Sequence, residues 1–169
     1  MTPLLSAEQI AARIKTLAAE IDAAYPPGEP LHFVAVLKGA FVFLSDLSRS
    51  MQRPVTLDFI AVSSYGAATK SSGQVRLLKD LDIPLEGRDV IIVEDIVDTG
   101  VTLSYLLEIL RARNPKSLRT ACLLSKPSRR QIDVPVEYVG FEIEDKFVVG
   151  YGLDHAGQFR NLPFIGIQE

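Results

Sequence analysis

The chain has one cysteine and two histidines in 169 residues. One cysteine cannot build a disulfide framework, which suits a reducing compartment and makes a cytoplasmic location the expectation. Cys122 lies in the apolar run Ala121-Cys122-Leu123-Leu124 and reads as a buried thiol rather than a nucleophile. His32 and His155 stand at no ligand spacing, so a His-rich transition-metal site is excluded and any metal should be a hard cation held by oxygen. No apolar run reaches the roughly 18 residues of a membrane span, and no basic segment followed by an apolar stretch opens the chain. An excess of positive charge is also missing. Lys and Arg total 18 against 21 Asp and Glu, for a net charge of -3. That balance disfavours nucleic acid and membrane partners and favours a small molecule. There is no internal repeat or low-complexity segment.

What is present fits one compact domain, since 47% hydrophobic residues in a chain of this length supply a core without staples. Ser6-Ala7-Glu8-Gln9 has the form of a capping box, and Ile10, Ile14, Leu17 and Ile21 recur on one helical face, predicting a helix to about Tyr25. Pro26-Pro27-Gly28 stops it. His32 to Leu37 is a short apolar strand, and Ala40 to Arg49 carries Phe41, Leu44 and Leu47 at helical spacing. Val55 to Val62 reads as a strand and Ser63 to Gln74 as a long, aperiodic loop. Val75 to Leu81, Val90 to Val93, Leu118 to Leu124 and Val136 to Phe141 read as further strands. A helix bearing Leu103, Leu106, Leu107 and Leu110 closes at Asn114-Pro115. Repeated strand-helix-strand steps give an α/β fold with a mostly parallel sheet flanked by helices.

Ligands in such sheets sit outside the carboxyl ends of the strands. That rule singles out Lys38-Gly39, the segment Glu94 to Thr102, and Ser125-Lys126. In the second, the strand Val90 to Val93 runs straight into Glu94-Asp95-Ile96-Val97-Asp98-Thr99-Gly100-Val101-Thr102 and then a helix, so at the strand-to-helix turn backbone N–H groups and hydroxyls meet a helix N-terminus, a setting that favours phosphate. Three carboxylates so close together repel one another unless a cation or a hydroxyl-rich ligand shares the site. The plainer alternative is a solvated strand end with an ordinary Asp-Thr-Gly turn. Lys38 beside Gly39 suits an anion, or is a strand-ending turn.

Val93 to Thr102 resembles the signature of type I phosphoribosyltransferases, which bind 5-phosphoribosyl 1-pyrophosphate. Val93-Glu94-Asp95-Ile96-Val97-Asp98-Thr99-Gly100 is similar to the hypoxanthine-guanine branch. So are Leu37-Lys38-Gly39, Ser63-Ser64-Tyr65-Gly66, Lys126 and Asp145-Lys146-Phe147-Val148-Val149-Gly150-Tyr151, and the match runs from about Leu31 to Leu162. The resemblance implies one phosphoribosyltransferase domain over 1–169, with a core of about 31–141 and a small hood built from about 1–30 and 142–169.

The resemblance also implies site roles. Glu94 and Asp95 would hold the ribose hydroxyls and magnesium, and Thr99, Gly100, Val101 and Thr102 the 5-phosphate. Asp98 would take or share the proton on purine N7, a sensible task for a carboxylate beside a nitrogen that gains positive charge. Lys38, Gly39 and Arg160 would bind pyrophosphate, with a cis peptide between Leu37 and Lys38. Phe147 would stack on the purine, Val148 would read its edge through the backbone, and Lys126 would donate to the 6-oxo group. Asp154 would serve the base and a second magnesium. Ser64 and Tyr65 would head a flexible loop that closes over the reacting centre and excludes water.

Where some relatives carry Lys, this chain has Val101, which removes a charge contact and leaves the amides. Glu144, Gly152 and His155 are positions where variation is expected. Taken without the resemblance, Tyr65 is a loop aromatic, Phe147 a core residue, and Asp154 and Arg160 solvated charges. The implied substrates are a 6-oxopurine base and the phosphoribosyl donor, and the implied assembly is a homodimer or homotetramer. A rival from another class is a regulator that keeps the donor-binding fold and acts on RNA or DNA; the acidic balance and the presence of Lys126 and Phe147 stand against it.

Overall fold

A computed structural model describes residues 1–63 and 75–169. Strand β1 (Thr2–Leu5) leads into α1 (Ala7–Ala23), β2 (Leu31–Leu37), α2 (Phe41–Ser50), β3 (Val55–Ser63) and β4 (Arg76–Lys79). Then come β5 (Asp89–Val97), α3 (Val101–Arg111), β6 (Ser117–Ser125), β7 (Tyr138–Glu142), β8 (Val148–Val149) and β9 (Ile165–Ile167), with a 3-10 turn at Pro127–Arg129. Ser64, Tyr65 and nearly all of the expected loop lie outside the described residues.

The main sheet has the order β4-β3-β2-β5-β6-β7. Every neighbouring pair is parallel except β3 with β4 at one edge. Its central strands bury both faces. Phe33, Ala35, Ile91 and Val93 join the core beneath α1 and α2, while Val34, Val36, Val90 and Ile92 join the one beneath α3. A strand that is apolar at every position therefore reads as a continuous run, as Phe33 to Leu37 does.

The capping box forms as the sequence predicts: Gln9 N–H donates to Ser6 Oγ at 3.1 Å, and Ser6 N–H donates to the Gln9 side chain at 2.8 Å. Helix α1 stops at Ala23, short of Tyr25, because a residue preceding proline is driven out of the helical region. Tyr25 instead tucks inward under the Arg119 guanidinium, 4.5 Å from the ring centre.

A larger correction concerns β5, which runs on from Val93 to Val97. Strand β6 continues to pair with it, Glu94 opposite Cys122, Ile96 opposite Leu124 and Val97 opposite Ser125, so the acidic pair sits on the strand itself. Strands β1, β9 and β8 form a separate three-stranded sheet from the two chain ends. Val148 and Ile165 of that sheet share the core cluster with Leu17 of α1 and Phe43 of α2. Among the described residues no helix is long and apolar enough to cross a membrane.

Candidate active site

The carboxyl end of β5 is flanked by β2 and β6, and the loops that follow these three strands converge there. A cavity of about 370 Å³ is lined by Val36, Leu37, Val62, residues 94–100, Thr102 and Leu103. A second of about 330 Å³ lies at the amino ends of the strands, around Leu31, His32, Arg88 and Lys116, away from these loops.

Glu94 and Asp95 are successive residues on β5, so they leave the strand on opposite faces. Glu94 is buried, and its Oε1 has no hydrogen-bond partner among the described residues. Burial, reinforced by the Asp95 charge, raises its carboxyl well above the usual carboxylate range. Asp95 is pushed up to about 6 by burial, an effect only partly offset by the N–H of Ile96, which donates to its Oδ1 at 2.7 Å. Among the described residues no three Asp, Glu, His or Cys side chains gather as a metal-holding group.

Beyond β5, Gly100 takes φ +87° and caps α3. A Cβ there would lie 2.7 Å from the Ile132 carbonyl oxygen, so only glycine lets the 132–134 segment close behind the turn. That segment is tied in place by the N–H groups of Gln131 and Ile132, which donate to Thr99 O. The N-cap Gly100 offers no side chain to α3, and the Val101 N–H donates to Thr99 Oγ1 at 3.3 Å. The amides of Thr102 and Leu103, residues that line the cavity, lack intrahelical acceptors and present partial positive charge there. Val101 places no cation there.

The Leu37–Lys38 peptide is cis. Gly39 is pressed so closely on Asp95 that a Cβ would sit 1.8 Å from its Oδ2. Gly152 closes the other side at φ +99°, where a Cβ would fall 2.2 Å from Gly39 O. The expected freedom of Gly152 is therefore overturned: both its backbone angle and the Gly39 carbonyl exclude a side chain. Arg160 donates to Gly152 O at 2.7 Å and pairs with Asp154 at 3.3 Å, so neither charge is merely a solvated surface group. Asp154 Oδ2 also accepts from Gly157 N–H.

Lys126 follows β6, donates its N–H to Val97 O at 3.0 Å, and is buried. Its Nζ lies 3.5 Å from Asp145 Oδ1. Asp98 accepts from Arg129 Nε at 3.0 Å. Phe147 is not a core residue: it is 52% exposed, and the His155 ring packs edge-on against it at 5.3 Å. His155 is set by a tight turn in which it exchanges backbone hydrogen bonds with Gln158 across Ala156 and Gly157, both at positive φ. Val148 stands opposite Ile167, while the bond beside it runs from Gln168 N–H to Phe147 O. Its own N–H and C=O therefore point away from β9, off the free edge of the small sheet.

The Phosphoribosyl transferase domain family model matches residues 2–156. The chain belongs to this family. It is 50% identical over 164 residues to the hypoxanthine-guanine phosphoribosyltransferase of Bacillus subtilis, with 97% of this chain and 91% of that protein covered. It is 54% identical over 168 residues to the enzyme of that name from Mycobacterium avium, covering 96% and 83%. A crystal structure of a hypoxanthine-guanine phosphoribosyltransferase from Bacillus anthracis, with a HEPES molecule in its active site, superposes with a TM-score of 0.95 at 47% identity, covering 100% and 99%.

The α/β fold of this phosphoribosyltransferase is the one its sequence predicts. Two polar groups at the site went unread in the sequence. Arg129 reaches the Asp98 carboxylate, and Arg130 donates to the carbonyls of Val97, Asp98 and Lys126 and to Ser125 Oγ. The available signal was two adjacent arginines after Lys126, at the third of the strand ends singled out by the location rule.

Proposed function

We propose that the protein transfers phosphoribose from 5-phosphoribosyl 1-pyrophosphate to N9 of hypoxanthine or guanine, giving IMP or GMP and pyrophosphate. One observation carries this reading: at the end of β5 the Glu94–Asp95 pair and the turn that opens α3 line one cavity, and the buried Lys126 follows the adjoining strand β6. The relatives named above bear the same activity in their names, and the regulator alternative is not maintained.

Thr99, Gly100, Val101 and Thr102 hold the 5-phosphate through backbone amides and hydroxyls. Glu94 and Asp95 take the ribose hydroxyls, and Lys38, Gly39 and Arg160 take pyrophosphate, with Gly39 letting the backbone approach. Phe147 offers an exposed face for stacking, Val148 an outward backbone edge, and Asp154 a further contact near the base. Lys126 donates to a 6-oxo group and meets only another donor in adenine, which favours 6-oxopurines. As N9 bonds to the ribose and pyrophosphate departs, Asp98 takes or shares the N7 proton and stabilises the charge that appears there.

An all-oxygen donor set with an unpartnered buried Glu94 oxygen fits a hard cation. Glu94 and Asp95, with Asp154 for a second ion, would hold magnesium, which when bound supplies charge neutralisation to the leaving pyrophosphate. Ser64 and Tyr65 belong to this reading as the head of a loop that shields the reacting centre. The small sheet from the chain ends serves as the hood, over a core of about 31–141. Cytoplasmic residence fits the single, buried Cys122.

A homodimer or homotetramer is supported by the exposed apolar side chains Phe41, Leu57 and Leu78 around the β3–β4 edge. Light scattering should give a mass of two or four chains, and a monomer at assay concentration overturns that part. For the reaction, purified protein with magnesium and the donor should release pyrophosphate with hypoxanthine and guanine and little with adenine. No release with either 6-oxopurine overturns the assignment.

A further inference from the structure

Asp98, Arg129, Asp145 and Lys126 form a chain of alternating charge beside the base subsite. Arg129 Nε is 3.0 Å from Asp98 Oδ1, and its Nη1 is 3.9 Å from Asp145 Oδ2. The other Asp145 oxygen, Oδ1, lies 3.5 Å from Lys126 Nζ. Lys126 is buried, while the other three side chains are about half-exposed. The neighbouring Arg130 is committed to carbonyls and to Ser125, so it fixes the main chain under Asp98 and leaves the carboxylate alone. Among the described residues, Arg129 is the one cation paired with the Asp98 carboxylate.

N7 and O6 are adjacent groups on one edge of a 6-oxopurine. A site that reads both needs an acceptor for N7–H and a donor for O6 at a set separation, each charged and each free to turn to the base. If Asp98 and Lys126 paired directly, they would satisfy each other and have to be parted before the base could bind. Interposing a cation and a carboxylate gives both a partner and keeps them apart. A guanidinium suits that place because its planar fork presents donors to two carboxylates at once, which a single ammonium does not.

We propose that Arg129 is a positioning residue of the base subsite: acting through Asp145, it spaces Asp98 and Lys126 as one unit that recognises N7 and O6 together. The proposal rests on the transferase reading above. Arg129 is placed to touch the carboxylate that meets the base, and among the described residues its side chain pairs with Asp98 and Asp145 and with none of the groups assigned to the 5-phosphate or pyrophosphate. Its loss should therefore weaken the base side of the reaction and spare the donor side.

The test is steady-state kinetics on the full chain with magnesium, varying hypoxanthine and the donor separately, for R129Q, R129K, D145N and R129Q/D145N. Half-exposed ion pairs have modest effects, so R129Q should raise the hypoxanthine KM about fivefold and leave the donor KM within about twofold of wild type. R129K should recover part of the loss. The double variant should be little worse than either single one, because both substitutions break the same chain. Equal rises in both KM values, a wild-type hypoxanthine KM in R129Q, or losses that multiply in the double variant overturn the proposal. Failure of the underlying reading looks different: the wild-type protein then forms no nucleotide, or D98N keeps full turnover, and both statements fall. Thermal melting of R129Q should match wild type, since Arg129 is exposed; a large drop in melting temperature shared by R129K marks a structural role and overturns the proposal too.

Discussion

At the scale of single residues, the two acidic roles separate by environment. Asp98 is half-exposed and reachable, whereas Glu94 and Asp95 are held where their charge is costly. Replacing Asp98 with Asn keeps the shape and an acceptor oxygen and removes the proton-taking function. We expect turnover to fall by about 10²-fold or more, with the donor dissociation constant nearly unchanged; equal losses in both would assign Asp98 to binding.

Asp95 carries a different expectation. Its folded-state value, about 6, lies above its ordinary value of 3.8, so between those limits the folded chain binds more protons than the unfolded one. The associated stability is fully present below the lower limit and is lost as pH rises through the upper. In ligand-free, magnesium-free protein, Asp95→Asn should therefore be more stable than wild type above pH 6, by at most about 3 kcal/mol, and the difference should vanish near pH 4. The same variant should bind the donor poorly. Melting curves across that range decide it, and a difference independent of pH would remove burial of charge as the cause.

At the scale of elements, what was legible in the sequence follows from periodicity. The capping box, the Ile10-Ile14-Leu17-Ile21 stripe and the Leu103-Leu106-Leu107-Leu110 stripe each carry several turns of signal, and all three formed. Strands β1, β8 and β9 are two to four residues long, too short to show an alternation. The end of β5 was misplaced because charged residues on a strand look like its termination; the pairing partner that keeps Glu94 in the sheet, Cys122, is 28 residues away in sequence. Gly152 was misjudged for the same reason, since the carbonyl that excludes a side chain belongs to Gly39. Gly152→Ala should cost about 2 kcal/mol from the unfavourable backbone angle alone, before the clash is relieved. Relief means moving the Lys38-Gly39 loop against Asp95, so pyrophosphate formation should fall together with the melting temperature. Normal activity in a destabilised variant would show that the loop absorbs the added methyl without disturbing the site.

At the scale of the whole molecule, the two ends of the chain meet at the base subsite. Strand β1 pairs with β9, β9 pairs with β8, and β8 contains Val148 and follows Phe147 directly. Strand β9 is thus the middle of a three-stranded sheet whose far edge holds the outward-facing backbone of Val148. Removing residues 1–5 leaves a two-stranded remnant, which is marginal on its own in water. Helix α1 keeps its cap at Ser6 and its buried face, and the groups assigned to the donor are carried by β2, β5, α3 and the 152–160 turn. The truncated chain should therefore fold, lose a few degrees in melting temperature, and show a hypoxanthine KM raised severalfold against a donor KM close to that of the intact chain. If the donor KM rises as much, the small sheet supports the whole site and not the purine side of it. If neither moves, β8 is held by its burial against Leu17 and Phe43, and strand pairing between the chain ends contributes nothing to base recognition.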